Sequence, residues 1–123
     1  MRKKDSILIV DDHLMIIKGY KTALKFGFSN FSDANLDIDY AVDFKTAVEK
    51  INCSIKRTPY DLIVLDLSIP PCEKNKMNCG EDFGKWIKPI VPKSKLLVIT
   101  SYNDTTRINN VLNELNPEGF LLK

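Results

Sequence analysis

The chain has 123 residues and a mass of 14.0 kDa, enough for one domain spanning 1–123 with one core and too few for two. With 44% hydrophobic and 28% charged residues it is neither disordered nor fibrous, and its longest aliphatic runs, four residues each, fall far short of the ~20 needed to cross a bilayer. The 18 Lys and Arg exceed the 16 Asp and Glu by only two, with Arg2-Lys3-Lys4 as the one dense basic block, so direct nucleic-acid binding by this domain is not expected.

The first apolar block, Ile-Leu-Ile-Val at 7–10, is β-branched and does not alternate, which predicts a strand buried on both faces of a parallel sheet. A helical period follows over 13–26, with Ile16, Ile17, Tyr20, Ala23 and Leu24 on one face and Gly27 placed to end it. Leu36, Ile38, Tyr40 and Val42 then alternate with Asp37, Asp39 and Ala41, the pattern of a half-exposed edge strand. Asp43 is positioned to cap a second helix with Phe44, Ala47, Val48 and Ile51 as its buried stripe.

A third strand is predicted at 62–65, after Pro59, and a short helix at 81–88 presents Phe83, Trp86 and Ile87 before Pro89 stops it. Between them, 69–80 is long for a strand-to-helix connection. A fourth strand at 96–99 precedes a helix that begins near Asp104 or Thr105, buries Ile108, Val111, Leu112 and Leu115, and breaks at Asn116-Pro117. Gly119-Phe120-Leu121-Leu122 reads as a fifth strand. The order βαβαβαβαβ predicts an open parallel α/β sheet with helices on both faces.

The basic start is followed by an apolar run that Asp11-Asp12 cuts short, so no signal-peptide core forms and a cytoplasmic location is expected. Three cysteines, Cys53, Cys72 and Cys79, are an odd number without disulfide-framework spacing. No C-x-x-C pair exists to join His13 in a zinc site, and ordinary thiols are the better reading.

Ligands of open α/β sheets bind outside the carboxyl ends of the strands. The residues there are Asp11 and Asp12 after strand one, Asp66 after strand three, Thr100 and Ser101 after strand four, and Lys123 after strand five. A single Asp after a strand is most often a turn residue or helix cap; it is the convergence of all these groups on one edge that points to a site. Three clustered carboxylates need protons or a cation to offset their repulsion, and an all-oxygen donor set selects Mg²⁺. That leaves Asp66 as candidate nucleophile for a phosphoryl group, with Lys123 balancing charge and Thr100 donating a hydrogen bond. A flavin, dinucleotide or Walker site would need a Gly- or Ser/Thr-rich loop where Asp-Asp-His stands. An aspartate-based phosphohydrolase would normally carry a second Asp where Ser68 stands.

With these residues in place the sequence resembles the receiver domain of two-component response regulators. Ile-Leu-Ile-Val-Asp11-Asp12-His13 is similar to the acidic pair after strand one, and Asp61-Leu-Ile-Val-Leu-Asp66-Leu-Ser-Ile-Pro70 to the phosphoacceptor strand and its proline. Val98-Ile-Thr100-Ser101 resembles the switch hydroxyl motif, and Gly119-Phe120-Leu-Leu-Lys123 the switch aromatic and lysine. The Asp-Asp-His start with Gly19 further resembles regulators whose output is a LuxR-type helix-turn-helix.

The resemblance implies a flavodoxin-like (CheY-like) doubly wound sheet of five parallel strands in the order 2-1-3-4-5. It implies phosphotransfer from a sensor histidine kinase to Asp66, with Mg²⁺ held directly by Asp12, Asp66 and the backbone carbonyl of Ser68 and by Asp11 partly through water. Thr100 and Phe120 would switch, changing an output domain or partner protein that is expected to act in transcription. Such a domain is not an enzyme beyond self-phosphotransfer and autodephosphorylation; a receiver-like interaction module that is never phosphorylated is the alternative. Ser68 and Tyr102 hold the positions that tune dephosphorylation, and bulky Tyr102 is expected to screen attacking water. Gly80 lies ten residues beyond Pro70 rather than about four, an insertion of about six residues within 71–79 relative to the usual receiver spacing. A receiver normally continues past its lysine into a fifth helix, so a sheet lacking that helix, a C-terminally truncated domain, apolar surface near helix one and strand five, and homodimer formation through it are expected.

Overall fold

The computed structural model describes residues 5–28, 36–74, 76–101 and 104–122. Its elements are β1 (Asp5–Val10), α1 (Leu14–Phe28), β2 (Leu36–Ala41), α2 (Phe44–Ile55), β3 (Leu62–Asp66), α3 (Gly80–Ile90), β4 (Lys95–Thr100), α4 (Thr105–Leu115) and β5 (Gly119–Leu122). All five strands are parallel and pair in the order β2-β1-β3-β4-β5. The three apolar blocks are the three central strands, and the alternating one is the edge strand β2.

The pleat sends alternate residues to opposite faces. Leu8, Val10, Ile63, Leu65, Leu96 and Val98 build the main core with Phe44, Ala47 and Ile51 of α2, Phe83 and Ile87 of α3, and Val111 and Leu115 of α4. The Phe44 and Phe83 rings stack at its centre, 5.9 Å apart. On the other face Ile7, Ile9, Val64 and Ile99 pack with Ile17 of α1. Along β5 the outer residues Leu121 and Leu122 are exposed, as are Leu14 and Met15 at the start of α1. Among the described residues no helix is long and apolar enough to cross a membrane.

Helix ends follow the caps in the sequence, with two exceptions. Asp43 caps α2 by accepting from the Thr46 N–H at 2.7 Å, and Asp104 caps α4 by accepting from Thr106 and Arg107. Asn116 ends α4 in the left-handed region, at φ 43°. Gly27, however, does not stop α1, which runs on to Phe28. Pro89 does not stop α3 either: it lies in the last turn, where its missing N–H costs one helical bond, and the helix closes with Val91 N–H donating to the Ile87 carbonyl at 2.8 Å. Buried Phe83 and Ile87 fix that helix to the core through the turn that contains the proline. On α1, Ala23 faces solvent and Ile17 is the fully buried anchor.

The long connection before α3 is more ordered than its composition suggests. Cys72 and Met77 pair antiparallel through two backbone hydrogen bonds of 2.7 and 3.0 Å. Met77 is buried in the main core beside Ile69, with Cys72 packed against it. The apolar Met77 side chain thus fastens the insertion beside the end of β3.

Candidate functional site

Register fixes which residues meet at the strand ends. Val10 pairs with Leu65 across β1 and β3, so the next residues, Asp11 and Asp66, lie side by side on adjacent strands. The Asp11 N–H extends the β1–β2 ladder by donating to the Ala41 carbonyl at 3.1 Å, and Asp66 pairs with Ile99 of β4. Both carboxylates are 1% exposed. Such burial penalises their charged forms unless partners or a cation compensate.

The loop residues complete the local geometry. The Ser68 hydroxyl donates to Asp66 Oδ2 at 2.8 Å and its N–H to Oδ1 at 3.3 Å. The His13 N–H donates to Asp11 Oδ1 at 2.9 Å. His13 Nδ1 lies 3.2 Å from that same oxygen and 2.8 Å from Asp12 Oδ1. Asp12 Oδ1 is itself buried and, that close approach of His13 apart, accepts no hydrogen bond among the described residues. Asp11, Asp12, His13 and Asp66 each offer a ligand atom, and these atoms all lie within 4.8 Å of one another. Mostly oxygen donors around a buried acceptor that takes no hydrogen bond fit a divalent cation.

Of the residues expected at this edge, Asp11, Asp12 and Asp66 come together, with Ser68 bonded to Asp66. Thr100 ends β4, fully buried, one position beyond the register partner of Asp66. Phe120 pairs with Val98 and packs half-buried against the main core. Lys123 and Tyr102 lie outside the described residues.

Three contacts are not evident from the sequence. Gly80 opens α3 where an added Cβ would fall 2.6 Å from Leu67 Cα and 3.0 Å from the Asp66 carbonyl oxygen, so the helix start presses directly on the strand end. Arg107 of α4 forms a two-pronged pair with Glu81 of α3, and it also lines a cavity of about 340 Å³ with Ser68, Pro70 and Asn78. Burial pushes the Glu81 carboxyl up, but the hydrogen bonds and charge of Arg107 outweigh it and hold the group below its ordinary value. Burial pushes the neighbouring Cys79 thiol up, away from thiolate chemistry. His13 joined the cluster only in three dimensions, although its place after two aspartates was visible.

No protein-family model and no curated protein matches the sequence. Solved structures do. RcsB from Salmonella enterica serovar Typhimurium, bound to promoter rprA in the presence of the phosphomimetic BeF3−, is 23% identical with a TM-score of 0.73 over 96% of this chain. The chain spans 59% of the length of that protein. A CheY-like response regulator receiver domain protein from Methanospirillum hungatei is 17% identical, with a TM-score of 0.70, covering 98% of this chain and 82% of that one. A response regulator protein from Burkholderia pseudomallei, with a phosphorylated aspartic acid, a calcium ion and citrate, is 16% identical, with a TM-score of 0.67, covering 98% of this chain and 60% of that one. The five-stranded order and the four helices described here are therefore those of the flavodoxin-like, CheY-like fold of response regulator receiver domains.

Proposed function

We propose that this chain is a phosphorylation-controlled receiver domain of a two-component response regulator. The observation that carries the reading is the juxtaposition of buried Asp11 and Asp66 with half-buried Asp12 at the carboxyl ends of β1 and β3, in a fold shared with proteins one of which holds a phosphorylated aspartate and a divalent ion. An Asp66 oxygen attacks phosphorus, an aspartyl phosphate bond forms, and the phosphorus–nitrogen bond of a sensor kinase phosphohistidine breaks, returning the imidazole. Asp11, Asp12, Asp66 and the Ser68 carbonyl are the residues to hold Mg²⁺, which supplies positive charge against the phosphoryl oxygens.

The remaining residues supply positions rather than covalent chemistry. Thr100, at the end of β4, would donate its hydroxyl to the new phosphoryl group, and Lys123 would balance its charge. Phe120, half-buried on β5, is the side chain to shift when Thr100 moves, changing the face that an output domain or partner protein reads. Ser68 and Tyr102 would set how long the aspartyl phosphate survives. The domain turns over no external substrate; it modifies itself and reverses the modification by hydrolysis, and its setting is a cytoplasmic signalling protein controlling transcription. Association of two copies through the exposed residues of α1 and β5 belongs to the same reading.

The test is incubation with Mg²⁺ and a small acyl phosphate donor, followed by mass spectrometry of the intact chain. A phosphoryl adduct present in the native chain and absent in Asp66→Asn is expected. No adduct under conditions that label an established receiver would overturn the reading.

A further inference from the structure

We infer that His13 is a further protein ligand of this cation site, and that the site therefore takes a first-row transition ion such as Mn²⁺ more tightly than Mg²⁺. The inference rests on the proposed function for the existence of the site and adds a donor that function does not require. Ligand atoms at about 2.0–2.2 Å from one ion stand roughly 3 Å apart when adjacent and roughly 4.3 Å apart when opposite. His13 Nδ1 hydrogen-bonds Asp11 Oδ1 at 3.2 Å and lies 2.8 Å from Asp12 Oδ1, separations that adjacent ligands of one ion would also take.

The backbone holds the ring in that place. The His13 N–H donates to the Asp11 carboxylate, and the His13 carbonyl accepts from the Ile17 N–H at 3.1 Å in the first turn of α1. The main chain at His13 is thereby fixed on both sides, and the half-exposed ring turns its Nδ1 to the carboxylates. Oxygen-only sites suit Mg²⁺, whereas an imidazole nitrogen gains far more with transition ions. One nitrogen among the carboxylates changes the ranking of ions without changing the charge of the site.

His13 is the sole histidine of the chain, so its coordination can be assigned without ambiguity. The experiment is pulsed electron paramagnetic resonance on the untagged chain loaded with Mn²⁺, prepared with ordinary histidine and with histidine carrying the heavy nitrogen isotope, alongside titrations with Mn²⁺ and Mg²⁺. Spin-echo modulation from a directly bound nitrogen, altered by the isotope, is expected. In His13→Ala, Mn²⁺ affinity should fall about ten-fold while Mg²⁺ affinity changes less than about two-fold.

Mn²⁺ bound without nitrogen modulation would overturn the inference and leave the proposed function standing. Failure of the native chain to bind either ion, or binding undiminished in Asp66→Asn, would overturn both. The isotope measurement uses the native sequence, so it does not depend on whether a variant folds.

Discussion

Arg107 in the first turn of α4 grips Glu81 in the first turn of α3 with two hydrogen bonds, Nε to Oε2 at 2.8 Å and Nη2 to Oε1 at 3.0 Å. The planar fork meets both carboxylate oxygens, and side-chain exposures of 28% and 16% limit screening by solvent. The pair ties the two helices together beside the β3 loop. A double-mutant cycle of Glu81→Gln and Arg107→Ala is expected to give a coupling of about 1 kcal/mol in urea unfolding. Additive effects would show that the two helices hold their positions by packing alone.

Acid should destabilise the chain through identifiable carboxylates. Burial pushes the Asp39 carboxyl up, but hydrogen bonds from Lys50, Tyr60 and the Tyr40 N–H, together with the Lys50 charge, bring it below its ordinary value of 3.8. Glu81 is likewise held below its ordinary 4.5. Both groups bind protons more weakly when folded, so their stabilisation is complete above the unfolded values and lost as pH falls through the folded ones. Urea midpoints followed by Trp86 fluorescence should be level from about pH 7 to about pH 5 and fall below about pH 4.5. Asp39→Asn should flatten that fall.

The start of α3 has no room for a side chain. An alanine at position 80 would press on Leu67 Cα and the Asp66 carbonyl, both backbone atoms of the strand end. Gly80→Ala is expected to cost about 2 kcal/mol in thermal or urea unfolding. The same displacement should weaken cation binding at Asp66, which titration with Mn²⁺ would measure.

Met77 should act as the anchor of the insertion. It is 4% exposed in the main core, whereas Lys74 and Lys76 on the same hairpin are exposed. Met77→Ala is expected to cost about 2 kcal/mol and to open the hairpin to trypsin at those lysines. Equal cleavage of native and variant chains would show that the hairpin owes its order to its backbone pairing instead.

The acidic cluster should respond to metal in a definite direction. Asp66→Asn removes one of the crowded charges and is expected to stabilise the metal-free chain by about 1 kcal/mol. Mg²⁺ at about a hundred times its dissociation constant should raise the native melting temperature by roughly 10 °C. The Asn variant should gain much less.

Parallel strands buried on both faces leave unbroken β-branched runs, which is why β1, β3 and β4 were legible and the residues that end or follow them marked the candidate site. Asp43 and Asp104 were equally legible because capping is a local interaction. Gly27 and Pro89 misled because local preference marks each as a stop; at Pro89, burial of Phe83 and Ile87 overrides a cost confined to one turn. The pairing of Cys72 with Met77 was hidden because it depends on Met77 finding the core, which no short window reveals.

The sequence by itself determined the order of elements, the parallel sheet and the aspartates at its carboxyl edge, since each follows from hydrophobic period and the residue that ends each run. Only the tertiary structure decided that Gly80 touches the Asp66 backbone, that Arg107 meets Glu81 across 26 residues of chain, and that His13 turns its nitrogen to the carboxylates. Those relations depend on how helices dock on the sheet and which rotamers the docking leaves open, and chain spacing fixes neither.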